Sequence, residues 1–179
     1  MVHHGKCESS ESQPTLKAAR LNSELARKQV AMTTIPKFPG VEQVIEIFGR
    51  WPSFHDAEIK WLRLERRAPD GGTGPVLEFA IHCFEMTDQV APSGHCVLRK
   101  HTLIHFRFRE VTDLRIEEFN QQNAIFGLEI ADESDASWER PYFKVTIEPS
   151  FGIGGGFHTV YPEVVSVIPC DERGETKAG

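Results

Sequence analysis

No apolar run in this 179-residue chain approaches the roughly 20 residues that a membrane-crossing helix needs, which leaves no transmembrane segment to place. The opening stretch MVHHGKCESSESQPTLKAAR also lacks the apolar block of a secretory signal, so the expected compartment is the cytoplasm. Cysteines are few and far apart: Cys7, Cys83, Cys96 and Cys170 form no CxxC pair, which argues against a disulfide framework and against a zinc ribbon. Basic charge is in deficit as well. A formal net charge of -6 disfavours nucleic acid, whose binding draws most of its affinity from basic clusters. Finally, no GxSxG, HExxH, P-loop or dinucleotide fingerprint is present.

What is present is the composition of a globular domain, 40% hydrophobic and 26% charged, in a chain long enough to bury a core without staples. Residues 1–31 differ from the rest, with a Ser/Glu/Gln-rich start followed by TLKAARLNSELARKQVA, which has the composition of a helix. They are expected to be a flexible or helical extension, or an overlong reading frame, with the domain proper spanning 32–170 and a disordered tail over 171–179. Without that extension the charge deepens, because residues 32–179 carry 15 Lys/Arg against 23 Asp/Glu. Such a balance favours a basic partner by steering cationic proteins towards the molecule, although the same charge also serves solubility alone.

PGVEQVIEIFGRWP predicts one short helix, with Val41, Val44, Ile45 and Phe48 at helical spacing and Gly49 as its C-terminal cap. From Asp56 onward β-branched and aromatic runs alternate with Gly, Pro, Asp and Asn clusters, predicting strands near 56–66, 76–84, 101–110, 112–118, 124–131, 142–148 and 157–168. Leu77, Phe79, Ile81 and Cys83 share one face, as do Ile104, Phe106 and Phe108, while His105, Arg107 and Arg109 make the opposite face wet. Half-wet strands without helical crossovers imply antiparallel pairing. The expected fold class is α+β: an antiparallel meander of about seven strands with one short helix packed near its start. FGIGGGF at 151–157 reads as a bend before the last strand, since no Lys-Ser/Thr follows it and no helix opens there.

Two places bring chemically active residue types together. WPSFHDAEI, residues 51–59, holds His55, Asp56 and Glu58, and strand histidines His82, His101 or His105 would be needed to complete a metal shell. On a strand His55 and Asp56 point to opposite faces, so the stretch alone makes no three-ligand cluster. Its architectural reading has Trp51 and Phe54 anchoring a helix-to-strand corner, Pro52 fixing the turn and Asp56 or His55 capping backbone groups. A zinc knuckle from Cys83, Cys96 and His82, His95 or His101 departs from the usual spacing of two to four residues within each ligand pair. The second place is ADESDASWERP, residues 131–141, where Asp132, Glu133 and Asp135 surround Trp138. Acidic groups around one tryptophan suit a protein-binding surface, although a solvated hairpin loop has the same composition.

The segments FGRWPSFHDAEIKWLRLER, VLEFAIHCFEMT, LRKHTLIHFRFREVTDLRIEEFNQQNAIFGLEI and FGIGGGFHTVYPEVVSVIPC carry a family likeness. Its marks are the Pro-Ser-x-x-Asp-x-Glu corner (Pro52, Ser53, Asp56, Glu58) and the Phe-Asn-x-Gln-Asn turn (Phe119, Asn120, Gln122, Asn123). In these, over residues 40 to 170, the chain resembles the immunity protein 50 family of bacterial polymorphic toxin systems. The resemblance implies a cytoplasmic antidote that binds a cognate toxin, without a reaction, cofactor or metal of its own. It assigns no functional residue; Trp138, Asp132, Glu133 and Asp135 are expected to bind the toxin on the strength of their own chemistry. The alternative expectation is a metal-dependent hydrolase using Asp56 or Glu58 with the strand histidines.

Overall fold

Eight residues between two glycines make the expected helix, α1 (Val41–Phe48), with Val41, Val44 and Phe48 buried and Gly49 closing it through an N–H donated to Ile45 O at 2.7 Å. A computed structural model describes residues 35–176 of the chain; the extension expected over 1–31 lies outside the described residues. Gly40 starts the helix in the left-handed region, φ 84°, where a Cβ would sit 2.2 Å from Val164 O, so no other residue fits there without displacing the strand beneath. Val164 N–H donates to Pro39 O at 2.9 Å, which ties this segment to the sheet.

Eight strands follow: β1 (Glu58–Glu65), β2 (Val76–Val90), β3 (Cys96–Arg109), β4 (Thr112–Glu117), β5 (Ala124–Asp132), β6 (Phe143–Phe151), β7 (Gly154–Thr159) and β8 (Tyr161–Pro169). All neighbours are antiparallel, in the order β4-β7-β6-β5-β1-β2-β3-β8. The molecule is therefore mostly sheet, with α1 its one helix among the described residues, and β1-β2-β3 and β5-β6-β7 form two meanders rather than the single one expected. The stretch read as one strand over 157–168 is two, because the chain turns a corner at Val160. There the carbonyl of Arg109 accepts both Val160 N–H at 3.3 Å and the Thr159 hydroxyl at 2.6 Å. β3 and β4 bend at the matching place, around Glu110 with φ 54°. Pairing carries on across the corner, Arg109 opposite Tyr161 and Thr112 opposite His158, so the two outermost strands in the order are continuations of β3 and β7. The sheet wraps around one interior.

That interior holds the faces expected from alternation: Leu77, Phe79, Ile81 and Cys83 on β2, and Ile104, Phe106 and Phe108 on β3, are all buried. Edge-on aromatic contacts link Phe38 to Trp51, Trp51 to Phe54 and Phe54 to Phe106 at 5.4 to 6.1 Å between centroids. Each fully buried phenylalanine contributes about 1.5–3 kcal/mol of transfer free energy.

The 51–59 corner is architecture, with one correction to how it works. Its backbone supplies the ties: Asp56 N–H donates to Ile125 O at 3.0 Å, Ala57 N–H to Phe54 O at 3.1 Å, and Ile125 N–H to Ala57 O at 2.9 Å. The Asp56 carboxylate caps nothing; it faces His55 Nδ1 at 2.9 Å in an exposed pair. Asp56 is instead suited to its left-handed backbone, φ 62°, which aspartate tolerates better than most residues. The cap comes from the Phe-Asn-x-Gln-Asn turn. Buried Asn123 accepts Asn120 N–H at 2.9 Å and Ile153 N–H at 3.3 Å, donates to Asn120 O at 2.7 Å, and offers its own carbonyl to Ile59 N–H at 2.9 Å. The Asn123 side chain thus ties the turn before β5 to the bend before β7, and its backbone carbonyl holds the start of β1. Residues 171–176, expected to open a disordered tail, form a turn in which Asp171 Oδ1 accepts the N–H groups of Arg173 and Glu175 at 2.8 Å.

Asn123→Ala leaves two N–H donors and one carbonyl without partners and lowers unfolding free energy by about 1–3 kcal/mol in urea titration. At Asp56 the backbone account orders the variants: Asp56→Ala costs about 1 kcal/mol through its left-handed conformation, and Asp56→Gly is tolerated better. If both variants lost stability equally, the carboxylate rather than the backbone would be the stabilising feature.

Candidate functional site

The loop between β5 and β6 is built by its own acidic residues. Asp132 Oδ1 accepts Ser134 N–H at 2.9 Å, and Asp135 Oδ1 accepts Ser137 N–H at 2.8 Å and the Ser137 hydroxyl at 2.5 Å. Trp138 N–H returns to Asp135 O at 2.9 Å, and the strand pairing is extended by Glu133 N–H to Tyr142 O at 2.9 Å. These bonds favour the ionised carboxylates, so Asp132 and Asp135 both titrate below the usual aspartate range, in each case chiefly through the side-chain serine bond.

The same turns present an aromatic shelf. Trp138 is 54% exposed and stands edge-on to Tyr142 at 5.5 Å, and Tyr142 lies flat on His158 at 4.8 Å with 11° between the planes. His158 comes from β7, opposite Lys144 of β6 and Thr112 of β4. Its Nδ1 lies 3.3 Å from Asp113 Oδ2 and its Nε2 3.8 Å from Glu133 Oε2, so the ring stands between the edge strand and the loop. Arg140 crosses to Glu110 at 2.9 Å, at the corner of the sheet. A shallow cleft of about 380 Å³ runs along the shelf between Trp138, Arg140, Tyr142 and Val160.

Of the four residues expected to bind a partner, two therefore have structural work: Asp132 and Asp135 shape the loop, while Trp138 and Glu133 face outward. Tyr142, His158 and Asp113 complete the surface and were not singled out in the sequence. Their proximity arises from the β4-β7-β6 pairing, which no local spacing encodes.

The hydrolase alternative does not assemble. Asp56 pairs with His55, Glu58 pairs with Lys60 at 3.2 Å, and His82 Nε2 meets His101 Nδ1 at 3.1 Å. His105 lies against Trp61 at 5.0 Å with Glu78 beyond it at 3.5 Å. Cys83 is buried, which pushes its thiol up to about 12, and Cys96 is exposed at the far end of the β2–β3 hairpin, opposite Val90. Among the described residues no three His, Cys, Asp or Glu side chains are grouped to hold a metal ion.

The 132–142 loop thus offers an exposed aromatic and charged surface rather than converging reactive groups. A family model described as Immunity protein 50 matches residues 40–168, and the chain belongs to that family. No curated protein and no solved structure matches it.

The loop has a defined acid limit. Because the folded-state pKa values of Asp132 and Asp135 are depressed, their contribution is present above the unfolded value of about 3.9 and is lost as pH falls through the folded values. In NMR, the Ser134 and Ser137 amide shifts should stay constant from pH 7 to about 4.5 and move only in stronger acid. Movement between pH 7 and 5 would mean that the turns are not held by ionised aspartates.

Proposed function

We propose that this protein is a cytoplasmic antidote: it binds a cognate toxin and blocks it by occlusion, without chemistry of its own. The observation that carries the reading is membership of the immunity protein 50 family over most of the domain. The loop geometry is consistent with it. A preformed aromatic group beside carboxylates loses little entropy on binding, and tryptophan and tyrosine are enriched among residues that dominate interface energies.

In this reading Trp138 is the anchor, Glu133 supplies charge at its side, and Asp132 and Asp135 hold the loop in shape. Occlusion of an enzyme's active site or a surface beside it would bury roughly 1,200–2,000 Å² in total, more than the loop alone provides.

Co-expression of the full chain with the product of the gene immediately upstream tests the assignment. Rescue of growth and co-purification of the two proteins are the expected results; a toxic upstream product that is neither neutralised nor retained would overturn it. Within a stable complex, Trp138→Ala weakens affinity by about 30-fold or more while leaving the melting temperature of the free protein within a few degrees, because the ring is largely exposed. Unchanged affinity would move the anchor elsewhere on the surface.

A further inference from the structure

Beyond Pro169, the end of β8, the chain turns back over the sheet. Cys170 N–H donates to His101 O at 3.0 Å, which ties the segment to β3. Past that bond the turn closes on itself: Asp171 N–H donates to Glu175 O and Gly174 N–H to Asp171 O, both at 3.0 Å, while Asp171 Oδ1 holds the N–H groups of Arg173 and Glu175. Under this turn lies His82 of β2, which alternates with the inward Ile81 and Cys83 and so points to the outer side. His82 is nevertheless only 4% exposed. Gly174 sits on its ring: at φ 79° the glycine backbone approaches so closely that a Cβ would lie 3.0 Å from His82 Cγ and 3.2 Å from its Nδ1.

The ring's polar contact is a second histidine. His82 Nε2 lies 3.1 Å from His101 Nδ1, the two rings are 5.3 Å apart and inclined by 28°, and Phe84 stands against both at 5.8 and 5.5 Å. A contact between two imidazole nitrogens holds one proton; with an N–H on both facing nitrogens it becomes a repulsion. The other charged groups near His82 are Glu58 and Lys60 of β1, which bond to each other at 3.2 Å, and Asp171 of the turn. Burial, the neighbouring His101 and Lys60 hold the His82 ring below the usual histidine range, against the smaller opposing pull of Glu58 and Asp171.

We propose that residues 170–176 form an acid-released latch, closed over His82 while the His82–His101 contact holds a single proton and lifted when both facing nitrogens are protonated. The device is independent of the immunity reading. A charged His82 needs water, and the turn is the part of its cover that gives way, because Phe84 and His101 belong to the long strands β2 and β3 whereas the turn is bonded mostly to itself. Protonation and opening are therefore linked. The closed form holds His82 below its free value of about 6.5, so the closure is fully present above that value and is lost as pH falls from it. Asp171 does not set this limit: the Glu175 and Arg173 N–H groups hold its carboxyl below the usual aspartate range, and it stays ionised while the histidines titrate.

The test is NMR of the full chain between about pH 7.5 and 5, following the His82 and His101 ring protons together with the Cys170 and Gly174 amides. In the wild type both amides should move towards random-coil positions in step with the His82 ring as pH falls below about 6.5. His82→Gln keeps a hydrogen-bonding group opposite His101 but takes up no proton, and should hold both amides in place over the whole range. Gly174→Ala keeps both histidines and pushes the turn off the ring, so the His82 midpoint should rise towards about 6.5. Circular dichroism melts confirm that both variants fold. Amides that stay fixed while His82 titrates, an acid shift unchanged in His82→Gln, or a His82 midpoint unmoved by Gly174→Ala would each overturn the latch, and all three would leave the immunity reading intact.

Discussion

The carbonyl oxygen of Arg109 is the point on which the architecture turns. By accepting both the Val160 N–H and the Thr159 hydroxyl, it keeps two long strand runs paired while both change direction. An antiparallel pair that stays hydrogen-bonded through a bend can leave one sheet layer and enter the next without exposing backbone donors. From this follow the enclosed interior, the position of β4 beside β7, and the arrival of His158 under Tyr142. Gly155 makes the last of these possible. It sits at φ 133° where a Cβ would lie 2.0 Å from Arg115 O, so the glycine run is a place of close strand approach.

A second lock lies at the far side of the same sheet. β1 and β5 pair through a short ladder, with Glu58 opposite Ala124, and the junction would be weak if left to those few bonds. Asn123 and the two left-handed residues of the 51–59 corner compensate, tying the start of β1 to the bend before β7. The polar residues that look most reactive in the sequence, His55, Asp56 and Glu58, are spent there on conformation and on local ion pairs. The Trp138 loop lies elsewhere, between β5 and β6.

Much of this was legible along the chain. Alternation gave the inner faces of β2 and β3 correctly because a strand with one wet side must repeat every two residues. The helix and its glycine cap followed from spacing and from the left-handed conformation that a helix end requires. The long run at 157–168 was misread as one strand, since Val160 is a good β-former and its sequence carries no turn residue at the bend. Asp56 or His55 was expected to cap the backbone of the corner, but backbone carbonyls of Phe54, Asn123 and Ile125 accept its N–H groups.

The sequence by itself determined the periodicity, the predominance of sheet, the acidic balance, the family likeness and the presence of one tryptophan among carboxylates, because all of these are properties of neighbours along the chain. Only the tertiary structure decided which acids shape the loop and which face outward, and that Tyr142 and His158 support Trp138. Strand order is the physical reason. β4 and β7 are separated by the whole of β5 and β6 in sequence, and their pairing is fixed by shared burial and a common bend, which no short segment records.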